Sequence, residues 1–98
     1  MEIVKTREGD AITLSINGKL SAGTAEEFGA ALNAATAETD KIILDFQGVS
    51  YLASAGLRVL VFAQKQLVSR SGSLSLINVN ENVREVFEVT GLDDIFDI

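Results

Sequence analysis

The side chains that could do chemistry in this sequence are hydroxyls, carboxylates, amines and one phenol. The 98 residues contain no histidine and no cysteine, which excludes imidazole bases and metal sites built on His or Cys ligands. The best placed hydroxyl is that of Ser54, and Lys65 lies about three turns further along the same predicted helix, too far away to activate it. We therefore predict no catalytic residue, no metal, no cofactor and no enzymatic activity.

Ser54 lies in the segment 48–58 (GVSYLASAGLR), which joins a predicted buried strand to a predicted helix. Its hydroxyl is predicted to cap that helix by accepting from the backbone N–H two or three residues further on. The small neighbours Ala53, Ala55 and Gly56 leave the helix end uncrowded. Gly56 costs helix propensity, which suggests that its smallness admits another chain's backbone. Because partners and ligands gather at the carboxyl ends of strands in open α/β sheets, we expect a binding surface here.

The elements before this segment follow from hydrophobic periodicity. Alternating apolar and polar residues predict a strand at Ile12–Ile16, and a shorter strand at Ile3-Val4 precedes it. Turn residues at 8–10 join the two strands into an N-terminal hairpin. Apolar spacing changes to the helical period at Thr24, and Ser21 is the predicted cap of this first helix.

The central strand and the helix that follows Ser54 contain the most apolar part of the chain. Residues 41–46 include the run Ile42-Ile43-Leu44, whose lack of alternation predicts a strand covered on both faces, as in parallel sheets. The second helix is predicted over 54–70, with one apolar stripe facing the core. That stripe is predicted to consist of Leu57, Leu60, Val61, Leu67 and Val68.

The C-terminal part adds a strand at 74–77 and a third helix that starts at Asn80 or Asn82. Gly91 is predicted as the residue that ends this helix in the left-handed conformation, and Ile95-Phe96 as a last short strand. The residues predicted to face inward from the third helix are Val83, Val86 and Phe87. The element order predicts an α/β fold with a mixed, mostly parallel sheet after an N-terminal hairpin and about three main helices packed on it.

Composition and charge limit the classes of function. With 47% hydrophobic residues, the chain has the composition of one globular domain over 1–98. The net charge of −6 argues against nucleic acid and anionic membranes as partners. No apolar run is long enough to span a membrane and the N-terminus does not resemble a leader, so we expect a cytoplasmic protein. Most of the charge lies within 81–98, which is either a solvated helix face or a surface for a basic partner.

Several segments, in order along the chain, resemble the STAS family, the domain of anti-anti-sigma factors (anti-sigma factor antagonists). The family signature is a strand followed by an Asp-Ser-Ser-Gly-Leu type sequence at a helix N-terminus, and Ala53-Ser54-Ala55-Gly56-Leu57 occupies it here. Residues 17–20 (NGKL) followed by 24–28 (TAEEF) are similar to the family's Gly-x-Leu-Asp…Thr-Ala segment. Residues 83–93 (VREVFEVTGLD) look like its C-terminal helix and turn.

The resemblance implies a single STAS-type domain that binds an anti-sigma factor, itself a serine kinase, and so releases a sigma factor. It implies that the kinase phosphorylates Ser54, that phosphorylation ends the binding, and that a serine phosphatase reverses it. The partner-binding residues that we assign from the motif and its surroundings are Ser21, Ala53, Ser54, Ala55, Gly56 and Arg58. The oligomeric state stays open.

Three departures from the family pattern keep a second hypothesis open. Ala53 and Ser21 stand where the family often has aspartates, and Ala55 replaces the second serine of the motif. These residues favour a binding subunit of a transporter or a signalling scaffold that is not phosphorylated. A third hypothesis, from another class, is a phosphoacceptor or enzyme domain in which Asp45 ends a buried strand, as in receiver domains. The acidic pair that receivers need after their first strand has no counterpart here.

Overall fold

The computed structural model describes residues 1–96, and positions 97 and 98 lie outside that description. Four strands and three helices follow the predicted order through the third helix. The strands are β1 (Glu2–Glu8), β2 (Ala11–Leu20), β3 (Lys41–Leu52) and β4 (Ser73–Ile77). The helices are α1 (Ala25–Glu38), α2 (Ser54–Ser69) and α3 (Glu81–Thr90), followed by a 3₁₀ helix (Leu92–Asp94).

One sheet with the strand order β1-β2-β3-β4 forms the centre of the fold. β1 and β2 are the antiparallel hairpin, whereas β2 pairs with β3 and β3 with β4 in parallel. Apolar residues of neighbouring strands align in rows, and one such row joins Ile12, Ile42 and Leu74. All three are buried in the core, together with Phe28 and other apolar residues of the helices. The predicted α/β fold is therefore confirmed.

The central strand β3 is buried on one face rather than on both. Ile42 and Leu44 are buried, but Ile43 between them is only half-buried, because it shares the opposite face with the hydroxyl residues Thr13 and Ser75. Three consecutive apolar residues were too short a run to distinguish a doubly covered strand from a one-sided one. The prediction of cover on both faces is wrong.

Asp45 lies inside β3, well before the strand ends at Leu52. Register shifts between β2 and β3 occur close to Gly48, and the pairing continues beyond them. The Asp45 carboxylate accepts hydrogen bonds from the backbone N–H of Gln47 (3.0 Å) and from the side-chain amide of Asn78 (3.1 Å). The idea that Asp45 ends a strand as a receiver-type acceptor is therefore wrong.

Helix α3 begins and ends as predicted. Asn80 is its N-cap, and its side-chain oxygen accepts from the backbone N–H of Val83 at 2.9 Å. The amide of the same side chain donates to the carbonyl of Val49 at 2.8 Å, which ties the helix to β3. Gly91 ends the helix with φ of 76°, in the left-handed region that glycine adopts without strain. Phe87 is fully buried, as predicted.

No last strand forms at Ile95-Phe96. The backbone N–H groups of both residues donate to the carbonyl of Leu92, which closes a turn where a strand was predicted. Phe96 is nevertheless buried, with its ring 5.5 Å from that of Phe87 in an edge-to-face arrangement. Phe96 is therefore held in the core by packing and not by sheet pairing, whereas Ile95 is half exposed.

The remaining charged residues are mostly on the surface. Within the predicted acidic segment, the exposed residues are Glu81, Glu85, Glu88, Asp93 and Asp94, and Asp97 lies outside the described residues. Glu38, at the end of α1, accepts a hydrogen bond from Lys5 of β1. That hydrogen bond and the positive charges of Lys5 and Arg7 lower the pKa of Glu38.

Candidate functional site

The carboxyl ends of β2 and β3 bring the predicted site residues together. Leu20 and Leu52 are partners in the parallel register, so the two strands end side by side. The backbone N–H of Ala53 donates to the carbonyl of Leu20 at 2.8 Å, which places Ser21 and Ser54 at the same edge of the sheet. The sequence prediction of a surface at this strand-to-helix junction therefore has a structural basis in the pairing of β2 with β3.

Ser54 does not cap α2, contrary to the prediction. The N-cap is Ala53, which has an extended backbone, and its carbonyl accepts from the N–H groups of Gly56 (3.0 Å) and Leu57 (3.1 Å). Ser54 is the first helical residue, and its side chain is exposed. Capping requires the side chain of the N-cap residue itself, and that residue is an alanine here. Within residues 1–96 the hydroxyl makes no hydrogen bond, so it is available to a partner.

The start of α2 has uncompensated positive character. The backbone N–H groups of Ser54 and Ala55 donate to no acceptor among the described residues, and Ala53 has no side chain that could reach them. The first turn of α2 contains no acidic residue, whereas that of α1 contains Glu26 and Glu27. Because a helix N-terminus carries about half a positive charge, this end of α2 favours an approaching anion.

Ser21 contributes through its backbone and not as the predicted side-chain cap of α1. Its carbonyl accepts from the N–H groups of Thr24 (3.2 Å) and Ala25 (2.9 Å). The Thr24 hydroxyl accepts from the Ser21 N–H (3.0 Å) and donates to the carbonyl of Lys19 (2.6 Å). Thr24 can do both because it lies at the helix boundary, three residues after Ser21. The loop before α1 is therefore held in one compact turn beside Ser54.

Gly56 is buried, and its small size has an internal reason. A Cβ atom at this position would lie 2.9 Å from a terminal methyl of Leu52 and 3.1 Å from the Cβ of Leu20. The glycine allows α2 to start directly against the ends of β2 and β3. The interpretation that its smallness admits the backbone of a partner is wrong, and the sequence alone could not reveal which neighbour is close.

The junction that contains Ser54 also presents three exposed side chains. Arg58 follows it by one helical turn, so the two are neighbours on the surface of α2, and within residues 1–96 Arg58 forms no ion pair. Lys19 and Tyr51, which are partners in the β2–β3 register, lie at the same edge, and Tyr51 is 53% exposed. The sequence prediction included neither Lys19 nor Tyr51. An aromatic residue at an outward position near the end of a strand could have suggested Tyr51.

Among residues 1–96, no three acidic side chains are grouped closely enough to hold a metal ion. In the same range, no helix combines the length and the apolar character needed to cross a membrane.

Comparison with known proteins adds the family to this geometry. The sequence matches the STAS domain family model over residues 2–98. It is 34% identical to the anti-sigma-B factor antagonist of Listeria monocytogenes over 96 residues, which cover 97% of this chain and 84% of that protein. The anti-sigma-B factor antagonist of Bacillus subtilis is also 34% identical, over 97% of this chain and 86% of the relative.

Solved structures show the same fold. The anti-sigma factor antagonist SpoIIAA in its unphosphorylated form has a TM-score of 0.83 at 21% identity, over 97% of this chain and 85% of that one. The phosphorylated form of the Bacillus cell fate determinant SpoIIAA has a TM-score of 0.76 at 20% identity, over 97% and 88%. With the family match across nearly the whole chain and the resemblance around Ser54, this chain belongs to the STAS domain family.

Proposed function

We propose that this protein is an anti-sigma factor antagonist that binds through the surface around the start of α2. The observation that supports this most directly is the exposed Ser54 hydroxyl, which makes no hydrogen bond within residues 1–96 and lies at a helix start without a capping side chain. Relatives with 34% identity over almost the whole length bear the name anti-sigma-B factor antagonist. The contact surface would comprise Ser54 with the adjacent exposed or half-buried residues, and Gly56 would support it from beneath.

The proposed partner is an anti-sigma factor that is also a serine kinase. The Ser54 oxygen would attack the γ-phosphorus of ATP bound to the kinase, forming the serine–phosphate bond as the bond to the departing ADP oxygen breaks. The hydroxyl proton would pass to a base of the kinase. This chain would supply only the acceptor and the docking surface, so no catalytic group is required of it. A serine phosphatase would restore the hydroxyl.

The structure supports an effect of such a phosphate on the interface and not on the fold. A phosphoserine adds about −1.5 to −2 charges, and the unsatisfied N–H groups of Ser54 and Ala55 favour an anion at this helix end. Arg58, one turn further on, is placed to pair with it. A partner in close contact with the small hydroxyl would instead meet a bulky dianion. Binding would therefore be lost while the domain stays folded.

The test compares binding of an anti-sigma kinase encoded in the same genome by wild type, Ser54→Asp and Ser54→Ala, using calorimetry. Ser54→Asp is expected to weaken binding by at least about tenfold, which corresponds to about 1.4 kcal/mol. Ser54→Ala should bind but should gain no phosphoryl group in intact mass spectra after incubation with kinase and ATP. Ser69→Asp, at the far end of the same helix, is the matched charge control. Equal binding by Ser54→Asp and wild type would refute the charge-based switch.

A second function is favoured by the neutral residues Ala53 and Ser21, which stand where the family often has aspartates. In this alternative the chain is a STAS binding subunit of a transporter or a signalling scaffold, and Ser54 is a contact residue that is never phosphorylated. If the wild-type protein gains no phosphoryl group with any kinase encoded near its gene, this alternative replaces the first. Loss of binding in Ser54→Ala would then identify the hydroxyl as a direct contact.

A further inference from the structure

Helix α2 has a second apolar surface that the core does not use. The residues that it buries include Leu57, Leu60 and Leu67, whereas Val61 is only partly buried and Val68 is 60% exposed. The sequence prediction that both valines face the core is therefore wrong for Val68 and only partly right for Val61. At about 100° per residue, the buried face of α2 extends from Ala63 to Leu57. Val61 and Val68 lie just beyond Leu57, at the edge of that face.

The outer face of α2 has a helical spacing of its own. We define it by the residues Arg58, Val61, Phe62, Lys65 and Val68, at spacings of three, one, three and three residues. Phe62 is 57% exposed and lies next to the partly buried Val61. The two residues together present apolar surface to solvent on this face. This face is thus amphipathic in the same sense as a helix that packs against another helix.

A shallow groove of about 690 Å³ follows this face. One wall is formed by α1, including Gly29 and Leu32, and Leu92 of the 3₁₀ helix contributes on another side. Along α2 the lining extends from Ser54 to Lys65, which corresponds to about 16 Å of helix length. An elongated groove beside a helix matches the shape of another helix, whose side chains can enter between the ridges.

The charge of the groove is opposite to that of the protein. The chain has a net charge of −6, but α2 contains no acidic residue and carries Arg58 and Lys65. These two bases both line the groove and are two turns apart, about 10.5 Å along the axis. Within residues 1–96 neither forms an ion pair, whereas Lys5, Arg7 and Arg70 do. The groove therefore lacks its electrostatic complement within the described chain.

We propose that the outer face of α2 binds an amphipathic helix of a partner protein that presents two acidic residues two turns apart beside an apolar stripe. The apolar stripe would cover Val61 and Phe62, and the acids would pair with Arg58 and Lys65. Two basic residues on a protein of net charge −6 are too few for an anionic membrane, which is recognised by clusters of about four to eight. The groove includes Ser54 and Arg58, so this proposal rests on the binding surface proposed above, but it does not require modification of Ser54.

The test is an NMR titration of the full chain with two synthetic amphipathic peptides. Both have the same leucine stripe, and they differ in carrying two glutamates or two lysines at a spacing of seven residues. The glutamate peptide is expected to shift the amide signals of α2 and of the facing part of α1. The dissociation constant should rise at least about tenfold in Lys65→Glu, and high salt should weaken the binding. Arg84→Glu, an exposed reversal on α3, is the matched control and should bind like wild type.

The charge-swapped combination separates specific pairing from general attraction. The lysine peptide should bind the double variant Arg58→Glu/Lys65→Glu better than it binds wild type. Each of the following results would overturn the proposal: no shift with the glutamate peptide, equal binding of both peptides, or the same loss in Arg84→Glu. So would self-association that Lys65→Glu abolishes, because the occupant would then be a second copy. Binding of phosphatidylglycerol vesicles at this face in place of the peptide would identify a membrane surface instead.

Discussion

Helices α2 and α3 both follow a parallel strand of the sheet, but their first turns differ in every stabilising group. Helix α3 has the Asn80 side chain as its cap and Glu81 in its first turn. Helix α2 starts at Ala53 with no capping side chain and no acid. The difference indicates that α3 is built for stability, whereas the start of α2 keeps its N–H groups and the Ser54 hydroxyl accessible. The start of α2 must therefore be stabilised by packing, and Gly56 is the residue at which it packs against Leu52 and Leu20.

The largest expected effect follows from that packing. Gly56→Val should destabilise the protein by about 2 to 3 kcal/mol, because its Cβ alone would lie 2.9 Å from a methyl of Leu52 and 3.1 Å from the Cβ of Leu20. Both leucines are buried, so they must shift within the core to admit the larger side chain. Urea unfolding measures the change. Gly29→Ala is the control, because a Cβ there would lie 3.7 Å from a methyl group of Val59, which is an ordinary contact. This variant should stabilise the protein by up to about 1 kcal/mol, since alanine has the higher helix propensity. If Gly56→Val were as stable as wild type, α2 would not depend on this close approach.

The next effect compares the two helix starts directly. Asn80→Ala removes the cap of α3 and leaves the carbonyl of Val49 without its hydrogen bond, a loss of about 2 kcal/mol in total. Ser54→Ala should change stability by less than about 0.5 kcal/mol, because its hydroxyl bonds to nothing within the described chain. Urea unfolding of the two variants would measure both changes in stability. A comparable loss in Ser54→Ala would mean that its hydroxyl supports the helix after all.

The smallest effect gives α2 the device that α3 already has. Ala53→Asp should stabilise the protein by about 1 kcal/mol at neutral pH, because a carboxylate at the N-cap position can accept from the free N–H groups. The gain should shrink as the pH falls and the new carboxylate becomes protonated. Ala53→Asn, which caps without charge, isolates the part that depends on the carboxylate. No stabilisation by either variant would show that these N–H groups are already satisfied.

Local signals predicted most of the fold because each depends on near neighbours in the chain. Three correctly predicted features depend only on residues a few positions apart. They are the alternation in Ile12–Ile16, the N-cap at Asn80 and the left-handed helix end at Gly91. The errors share a different cause. Whether Ser54 or Ala53 is the N-cap depends on where β3 stops, and the hydrogen bond from Ala53 to Leu20 of another strand decides that.

The same distinction applies to the candidate site. Its place, at the junction after β3, could be predicted, because parallel strands joined by helices put their carboxyl ends at one edge. The residues that make up the site could not be predicted in the same way. Lys19 lies at this edge because β2 pairs with β3, and Gly56 is buried because Leu20 and Leu52 pack against it. The outward position of Val68 became visible only when α2 was set against the sheet.

The amino-acid sequence by itself determined the order of the elements, the family pattern around Ser54 and the absence of His and Cys chemistry. These properties depend on residue type and short-range spacing, both of which can be read directly from the sequence. Only the tertiary structure decided that the Ser54 hydroxyl makes no hydrogen bond in the described part of the chain, that Gly56 is internal and that α2 has a second exposed face. Those properties are set by contacts between residues distant in the chain, whose packing competes with local preference and prevails over it.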